Sequence, residues 1–187
     1  SDLSLASGSP RRKELLQMLE VPFEVLVSDT KEVITKNEPA EVTKELSYQK
    51  AMAVAGQVEE GIIIGADTVV SIDGKILGKP ADKEEAREMI YKLQGKSHMV
   101  YTGVTVIAKS GDMVSASSFA EGTKVNVAPM TENEIEAYIS TDEPYDKAGA
   151  YGIQGLFGKF IEGIKGDYFN VVGLPVHRLY EELKKFD

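Results

Sequence analysis

Apolar positions along this chain alternate between helical and strand-like spacing, and the changes of spacing predict most of its elements. Leu3–Ala6 reads as a short strand running into SGSPRRKELL, where Leu15, Leu16 and Leu19 recur at helical spacing. Ser9 and Pro10 suit an N-cap and a first helical residue, so a helix is predicted from about Pro10. A second strand is expected at Phe23–Val27, after the Val21-Pro22 break. From Pro39 to about Val58 the pattern is helical, with Val42, Leu46, Ala53 and Val54 along one side and Lys50 inside that stripe. Gly61–Ala66 reads as a buried strand, and Val69–Ile72 with Lys75–Leu77 as a hairpin around Asp73-Gly74. Asp82 and Glu85 open a helix carrying Ala86, Met89, Ile90 and Leu93, which Gly95 stops.

The second half favours strands. His98–Ala108 and Met113–Val127 are expected to pair as long antiparallel strands, and Thr131 with Glu134 to cap a short helix through Ile135, Tyr138 and Ile139. DKAGAYGIQG, residues 146–155, fits neither period; a loop of this kind either turns tightly or offers its backbone to a ligand. Phe157–Ile164 and Tyr168–Val172 are predicted as a further strand pair around Lys165-Gly166-Asp167, and Leu174-Pro175 as the start of a terminal helix with Leu179, Tyr180 and Leu183. There is no repeat or low-complexity linker. The expectation is an α/β chain with a mixed sheet and no evident cut into two domains.

Composition narrows the classes. The 187 residues contain no cysteine, which removes disulfides, thiolate nucleophiles and thiolate metal sites and is compatible with a reducing cytosol. No apolar run is long enough to span a bilayer and the start lacks the pattern of a secretory signal, so a cytoplasmic protein without a membrane partner is expected. Ser1 and Asp2 belong to no predicted element. A net charge of −9 argues against a partner that is a long nucleic acid, although a small anion needs only a local basic pocket. Nothing in the pattern decides the oligomeric state, and a homodimer is compatible with it.

The candidate chemistry begins with Arg11, Arg12 and Lys13, which crowd the first turn of a helix, where its dipole and free N–H groups disfavour cations. A bound phosphate resolves the conflict, and the small residues Ser7-Gly8-Ser9 favour that reading over a solvated basic turn. Asp67, after the run Gly61–Ala66, is expected at the carboxyl end of a central strand, where α/β sheets place ligands; alone it serves equally well as a turn cap. Its neighbour Thr68 offers a hydroxyl. Lys50 on an apolar face must snorkel or pair, Lys79 in Gly78-Lys79-Pro80 is either solvated or functional, and Glu32 lies among charges in SDTKE. Asp146 and Lys147 can pair locally, and Gln154 can pack, turn or read a base edge. His98 and His177 lack ligand-spaced partners and read as structural. Carboxylates without a His/Cys cluster favour Mg²⁺ or Mn²⁺ over zinc. P-loop, dinucleotide-binding and nucleophile-elbow motifs are all missing.

Taken together, LASGSPRRKELL (5–16), GADTVV (65–70), GKP (78–80), DKAGAYGIQG (146–155) and VVGLP (171–175) closely resemble the Maf family of nucleoside triphosphate pyrophosphatases, in order and over nearly the whole chain. The resemblance implies one domain over residues 1–187, with an elongated, two-lobed α/β fold, a mixed twisted sheet and a central cleft, similar to the inosine triphosphate pyrophosphatases. It implies hydrolysis between the α and β phosphates of a nucleoside triphosphate, with a divalent cation, Mg²⁺ or Mn²⁺. Asp67 matches the proton acceptor; Ser7, Arg12, Glu32, Lys50 and Lys79 match polar active-site positions; Asp146 and Lys147 sit in the signature loop; Arg11, Thr68 and Gln154 match positions linked to substrate choice. Glu32 and Asp67 are the carboxylates available to a metal. SPRR with GADT and GIQG resembles the branch acting on dTTP and UTP. The alternatives are a nucleotide-binding regulator of cell division or septum formation, which could dispense with Asp67, and an inosine or xanthosine triphosphate pyrophosphatase.

Overall fold

The computed structural model describes residues 3–186; Ser1, Asp2 and Asp187, and with them the outer limits of the expected domain, lie outside the described residues. The chain runs β1 (Leu3–Ala6), α1 (Pro10–Leu16), β2 (Glu24–Val25), α2 (Pro39–Ala55), β3 (Glu60–Ile72), β4 (Lys75–Leu77), α3 (Lys83–Leu93), β5 (Ser97–Ser110), β6 (Met113–Val127), α4 (Glu132–Ile139), β7 (Ile161–Lys165), α5 (Tyr168–Val172) and α6 (Val176–Leu183), with short 3₁₀ turns between. The strands form one seven-stranded sheet in the order β2-β1-β3-β5-β6-β7, with β4 added to β3. It is mixed, as expected: β1 is parallel to β2 and β3, and the other pairs are antiparallel. Among the described residues no helix is long and apolar enough to cross a membrane.

The caps read from sequence are in place. Ser9 accepts from the Arg12 amide, Asp82 from the Glu85 amide, and Thr131 with Glu134 forms a complete capping box. Several expectations fail. Gly61–Ala66 and Val69–Ile72 are not separate strands, because β3 runs unbroken through Asp67 and Thr68. Asp67 is therefore mid-strand, opposite Gly103 of β5, and not at a strand's carboxyl end. Tyr168–Val172 is a helix instead of a strand: Asp167 caps it by accepting from the Phe169 amide, and buried Asn170 donates to the Val100 and Glu121 carbonyls and to Thr123 Oγ1. Those bonds outweigh the strand propensity of Val171 and Val172. The second strand shrinks to Glu24–Val25, and Tyr180 faces solvent instead of the core.

Side-chain alternation along β3 sorts the core into layers. Ile63 meets Ala51, Val54 and Ala55 of α2 on one face. Ile64 and Ala66 turn to the other, against Leu15, Leu16, Leu174 and Leu179. Farther along that second face Val70 and Ile72 join α3, α4 and the ring cluster of Tyr138, Tyr151, Phe157 and Phe160. Two lobes thus share one sheet face, with Thr68 and Val70 between them.

Two glycines let α2 lie against the sheet. A Cβ on Gly65 would sit 2.5 Å from the Ser47 carbonyl oxygen, and one on Gly103 would collide with the Thr43 carbonyl and the Lys44 amide. Ser47 Oγ also hydrogen-bonds Thr105 Oγ1 of β5 at 2.8 Å. This contact fixes the height of Lys50 over β3.

In the second lobe His98, 2% exposed, places Nε2 2.6 Å from the Tyr151 hydroxyl. Burial holds its imidazole at about 4, well below the ordinary 6.5. A neutral histidine in the fold that ionises more readily when unfolded gives stability that is complete above about pH 6.5 and lost as pH falls through about 4, roughly 3 kcal/mol in all. Against His98→Gln, which still offers Tyr151 a hydrogen bond, the wild-type unfolding free energy is expected to fall by that extra amount between about pH 7 and pH 4. A difference that stays constant with pH in urea titrations would contradict this account.

Candidate active site

Beyond Ala6, β1 leaves one edge of β3 uncovered. Its pairing with β3 stops at Gly65 and that of β4 begins at Val70, while β5 occupies the opposite edge throughout. Residues 66–69 therefore border a gap in the sheet, which leaves Asp67 and Thr68 open to the cleft from the middle of a strand. The gap opens into a cleft of about 650 Å³ between the lobes. Around it stand Ser7, Arg11, Arg12, Glu32, Lys50, Asp67, Thr68, Lys79, Asp146, Lys147 and Gln154, all of the residues that the motif resemblance matched to a site, whereas Lys13 is exposed and stands outside it.

Arg12 is the anchor on one side. Its side chain leaves the helix start and donates from Nε to the Gly173 carbonyl at 2.7 Å, from Nη2 to Thr68 Oγ1 at 2.8 Å, and weakly from Nη1 to Ser7 Oγ at 3.5 Å. Thr68 Oγ1 also bonds Thr102 Oγ1, which itself donates to the Asn170 carbonyl. The guanidinium thus ties α1, β3 and the α5–α6 corner together. Burial lowers its pKa, the negative Asp67 opposes the shift, and Arg11 adds to it. At so high a starting value the group stays charged. Helix α1 has no acidic residue in its first turn, so the helix itself does not offset this cationic end.

Lys50 is the hub on the other side. Its ammonium donates to Asp67 Oδ1 at 2.8 Å, lies 4.0 Å from Glu32 Oε2, and reaches the Ala66 carbonyl at 3.4 Å in the edge gap. Of the two readings open for a lysine in an apolar stripe, the structure takes pairing. Asp67 is nearly buried and Glu32 sits on an exposed coil.

The glycine-containing loop supplies the far wall. Lys147 donates to Asp146 Oδ1 at 2.8 Å and to the Glu143 carbonyl at 3.1 Å, and this pairing holds the Asp146 carboxyl below its usual range. The Gly149 amide donates to the Gly78 carbonyl, which brings the Lys79 loop alongside. Ala150 adopts φ 68, an unfavourable conformation for a residue with a side chain, and the Tyr138 hydroxyl donates to its carbonyl at 2.7 Å. The turn delivers Tyr151, Ile153 and Gln154 to the cleft, where Val70 and Val100 add an apolar floor suited to a flat ring.

Two contributors escaped sequence reasoning. The Gly173 carbonyl orients Arg12, and only the VVGLP motif hinted at that position. Glu143, signalled by nothing, accepts from the Leu156 and Phe157 amides and from the Tyr138 hydroxyl, and so pins the loop. The lining groups comprise five cations and three carboxylates, a local positive excess in a chain of net charge −9. Such a site suits a polyanion, with carboxylates placed to take a proton or hold a cation.

Comparison with known proteins finds relatives over nearly the whole chain. The family described as "Maf-like protein" matches residues 2–186. A dTTP/UTP pyrophosphatase of Bacillus cytotoxicus is 53% identical over 98% of this chain and 94% of its own length, and one of Bacillus cereus is 50% identical over the same shares. Among solved structures, the Ham1 protein of Staphylococcus aureus superposes with a TM-score of 0.56 at 12% identity, covering all of both chains. A nucleoside-triphosphatase, dITP/XTP pyrophosphatase, from Mycobacterium abscessus gives 0.50, also at 12% identity, covering 100% of this chain and 98% of its own. These two establish a shared fold.

Arg12 gives a direct check on the geometry. Lysine cannot span the Gly173, Thr68 and Ser7 acceptors together, so Arg12→Lys is expected to lower the unfolding free energy by about 1–3 kcal/mol through unpaired buried acceptors. The urea midpoint should drop at unchanged m-value. A midpoint equal to wild type would mean that the three bonds do not hold the corner together.

Proposed function

This chain belongs to the Maf family, and on that footing we propose that it hydrolyses dTTP and UTP to the nucleoside monophosphate and pyrophosphate in the cytoplasm. The observation that carries the reading is the Lys50 ammonium held between Asp67 and Glu32 in the edge gap, across the cleft from a half-buried Arg12 fixed by its hydrogen bonds. The pair of substrates rests on the names of the Bacillus relatives. The regulator of cell division is not favoured: a chain that only senses nucleotide has no need of Asp67.

In this reading Arg12, Lys50 and Lys79 hold the triphosphate and offset the charge that builds on its oxygens. Ser7 keeps the Arg12 corner polar, and Thr68, through its hydrogen bond from Arg12, fixes the angle of the guanidinium. Asp67 receives the proton of the attacking water. Lys50 occupies its Oδ1, and Oδ2 accepts none of the hydrogen bonds found among the described residues, so Oδ2 is the atom we assign to that transfer. Arg11 and Gln154 face the base end with the apolar floor. Asp146 and Lys147 brace each other at the mouth.

The donor set fits a hard divalent cation. Among the described residues no three His, Cys, Asp or Glu groups converge, which excludes a pre-built protein cage there. Magnesium is commonly held by one or two carboxylates together with substrate phosphates, and Glu32 and Asp67, on either side of Lys50, meet that requirement. When bound, the ion supplies Lewis-acid polarisation of the phosphoryl group and further offsets its charge.

dTTP or UTP with Mg²⁺ or Mn²⁺ is expected to yield monophosphate and pyrophosphate, with no turnover after chelation; orthophosphate and a diphosphate as products would show that the wrong bond is cut. Asp67→Asn should retain the fold and nucleotide binding while losing about 10²–10⁴ in kcat, the usual cost of removing a general base. A variant within a few-fold of wild type would move the proton transfer elsewhere.

A further inference from the structure

Glu32 rides on an exposed segment, residues 26–37, that has no helix or strand of its own. A coil with so little buried surface should sample many positions unless something ties it down. Helix α2 does so with two side chains one turn apart. Gln49 donates from Nε2 to the Val33 carbonyl at 2.7 Å and accepts from the Val33 amide at Oε1, 3.0 Å, copying the bonds a neighbouring strand would make. Glu45 accepts from the Thr35 amide at 2.7 Å and from the Thr35 hydroxyl. Those bonds hold the Glu45 carboxyl below its usual range, so the clamp is present at neutral pH.

The register of these contacts matters. Val33 follows Glu32 directly, and Lys50 follows Gln49. The backbone is therefore locked one residue from the carboxylate, by a side chain one residue from the cation that the carboxylate faces at 4.0 Å.

We propose that Gln49, seconded by Glu45, is a positioning residue for Glu32, so that helix α2 supplies both the Lys50 cation and the clamp that sets the second carboxylate beside it. This rests on Glu32 serving the reaction as described above. Neither clamp residue lines the cleft. Both act by restricting where Glu32 can be when a metal ion and nucleotide arrive.

Gln49→Leu removes both the donor and the acceptor and is tolerated in a helix. Measured on the intact chain without nucleotide or metal, trypsin cleavage after Lys31 and Lys36 should accelerate several-fold. The Mg²⁺ concentration for half-maximal rate should rise, and kcat fall, by on the order of 10-fold each, as when outer groups that orient a metal ligand are removed. The nucleotide KM at saturating Mg²⁺ and the thermal midpoint should stay near wild type, because the clamp is at the surface. Gln49→Glu keeps an acceptor for the Val33 amide and loses the donor, so it should fall between. Unchanged cleavage in Gln49→Leu overturns the clamp. Faster cleavage with wild-type kcat and Mg²⁺ dependence, while Glu32→Gln is impaired, overturns the positioning role alone. Wild-type behaviour of Glu32→Gln removes the role assigned to Glu32, and the proposal falls with it; that failure is read from the Glu32 variant, not from Gln49.

Discussion

An interrupted edge on the central strand governs this molecule. β3 pairs with β5 along nearly its whole length, yet on its other side β1 ends at Gly65 and β4 starts only at Val70. A polar pair in mid-strand would ordinarily be covered by neighbouring strands. Here Asp67 and Thr68 project to opposite faces of a strand whose edge is open, so one gap exposes a carboxylate toward α2 and a hydroxyl toward α1. Everything that surrounds the cleft is arranged to reach that gap from one side or the other.

Reaching it requires close backbone approach. Lys50 meets Asp67 only because α2 rests directly on Gly65 and Gly103, and Gly103 is the residue paired with Asp67 across the ladder. The same helix then ties down the Glu32 segment through Gln49 and Glu45. On the opposite face Arg12 reaches Thr68 from α1 and is steadied by the Gly173 carbonyl. A partly exposed ion pair such as Lys50–Asp67, with side-chain exposures of 33% and 12%, adds little to stability. Its value is positional: Asp67 is held by the sheet, and Lys50 and Arg12 by two helices packed against it.

What could be read from the sequence follows from this division. Caps, hairpin turns and apolar spacing are local signals, and α1, α3, α4 and the β5–β6 pair were legible from Ser9, Asp82, Thr131 and the long strand-like runs. The eleven candidate residues were legible partly through chemistry, as with three cations at a helix start and a lysine in an apolar stripe, and partly through motif resemblance. Long-range determinants were not. Asp67-Thr68 interrupts an apolar pattern and so looked like the end of a strand, because nothing local reveals that Lys50 and Thr102 satisfy the two side chains. Tyr168–Val172 looked like a strand because the partners of Asn170 lie on β5 and β6. Glu143 and Gln49 carried no signal, since each acts on backbone groups distant in sequence, and any surface position accepts a Glu or a Gln.

Charge adds a last constraint. The chain as a whole carries −9, while the cleft lining holds more cations than carboxylates. Exposed charges farther than about 8 Å are largely screened at physiological ionic strength, so a triphosphate inside the cleft would feel chiefly its lining, where five cations outnumber three carboxylates. During approach it must still pass the acidic exterior, and in dilute salt that repulsion extends farther. A nucleotide that arrives complexed with a divalent cation carries less negative charge through this barrier. It would also bring Glu32 and Asp67, in the proposed reaction, a cationic partner beyond Lys50. In the proposed reaction, then, an acidic surface and a basic cleft are compatible: the exterior favours approach of the metal-bound substrate over the free polyanion, and the excess of cations in the cleft supplies the attraction once the nucleotide is inside.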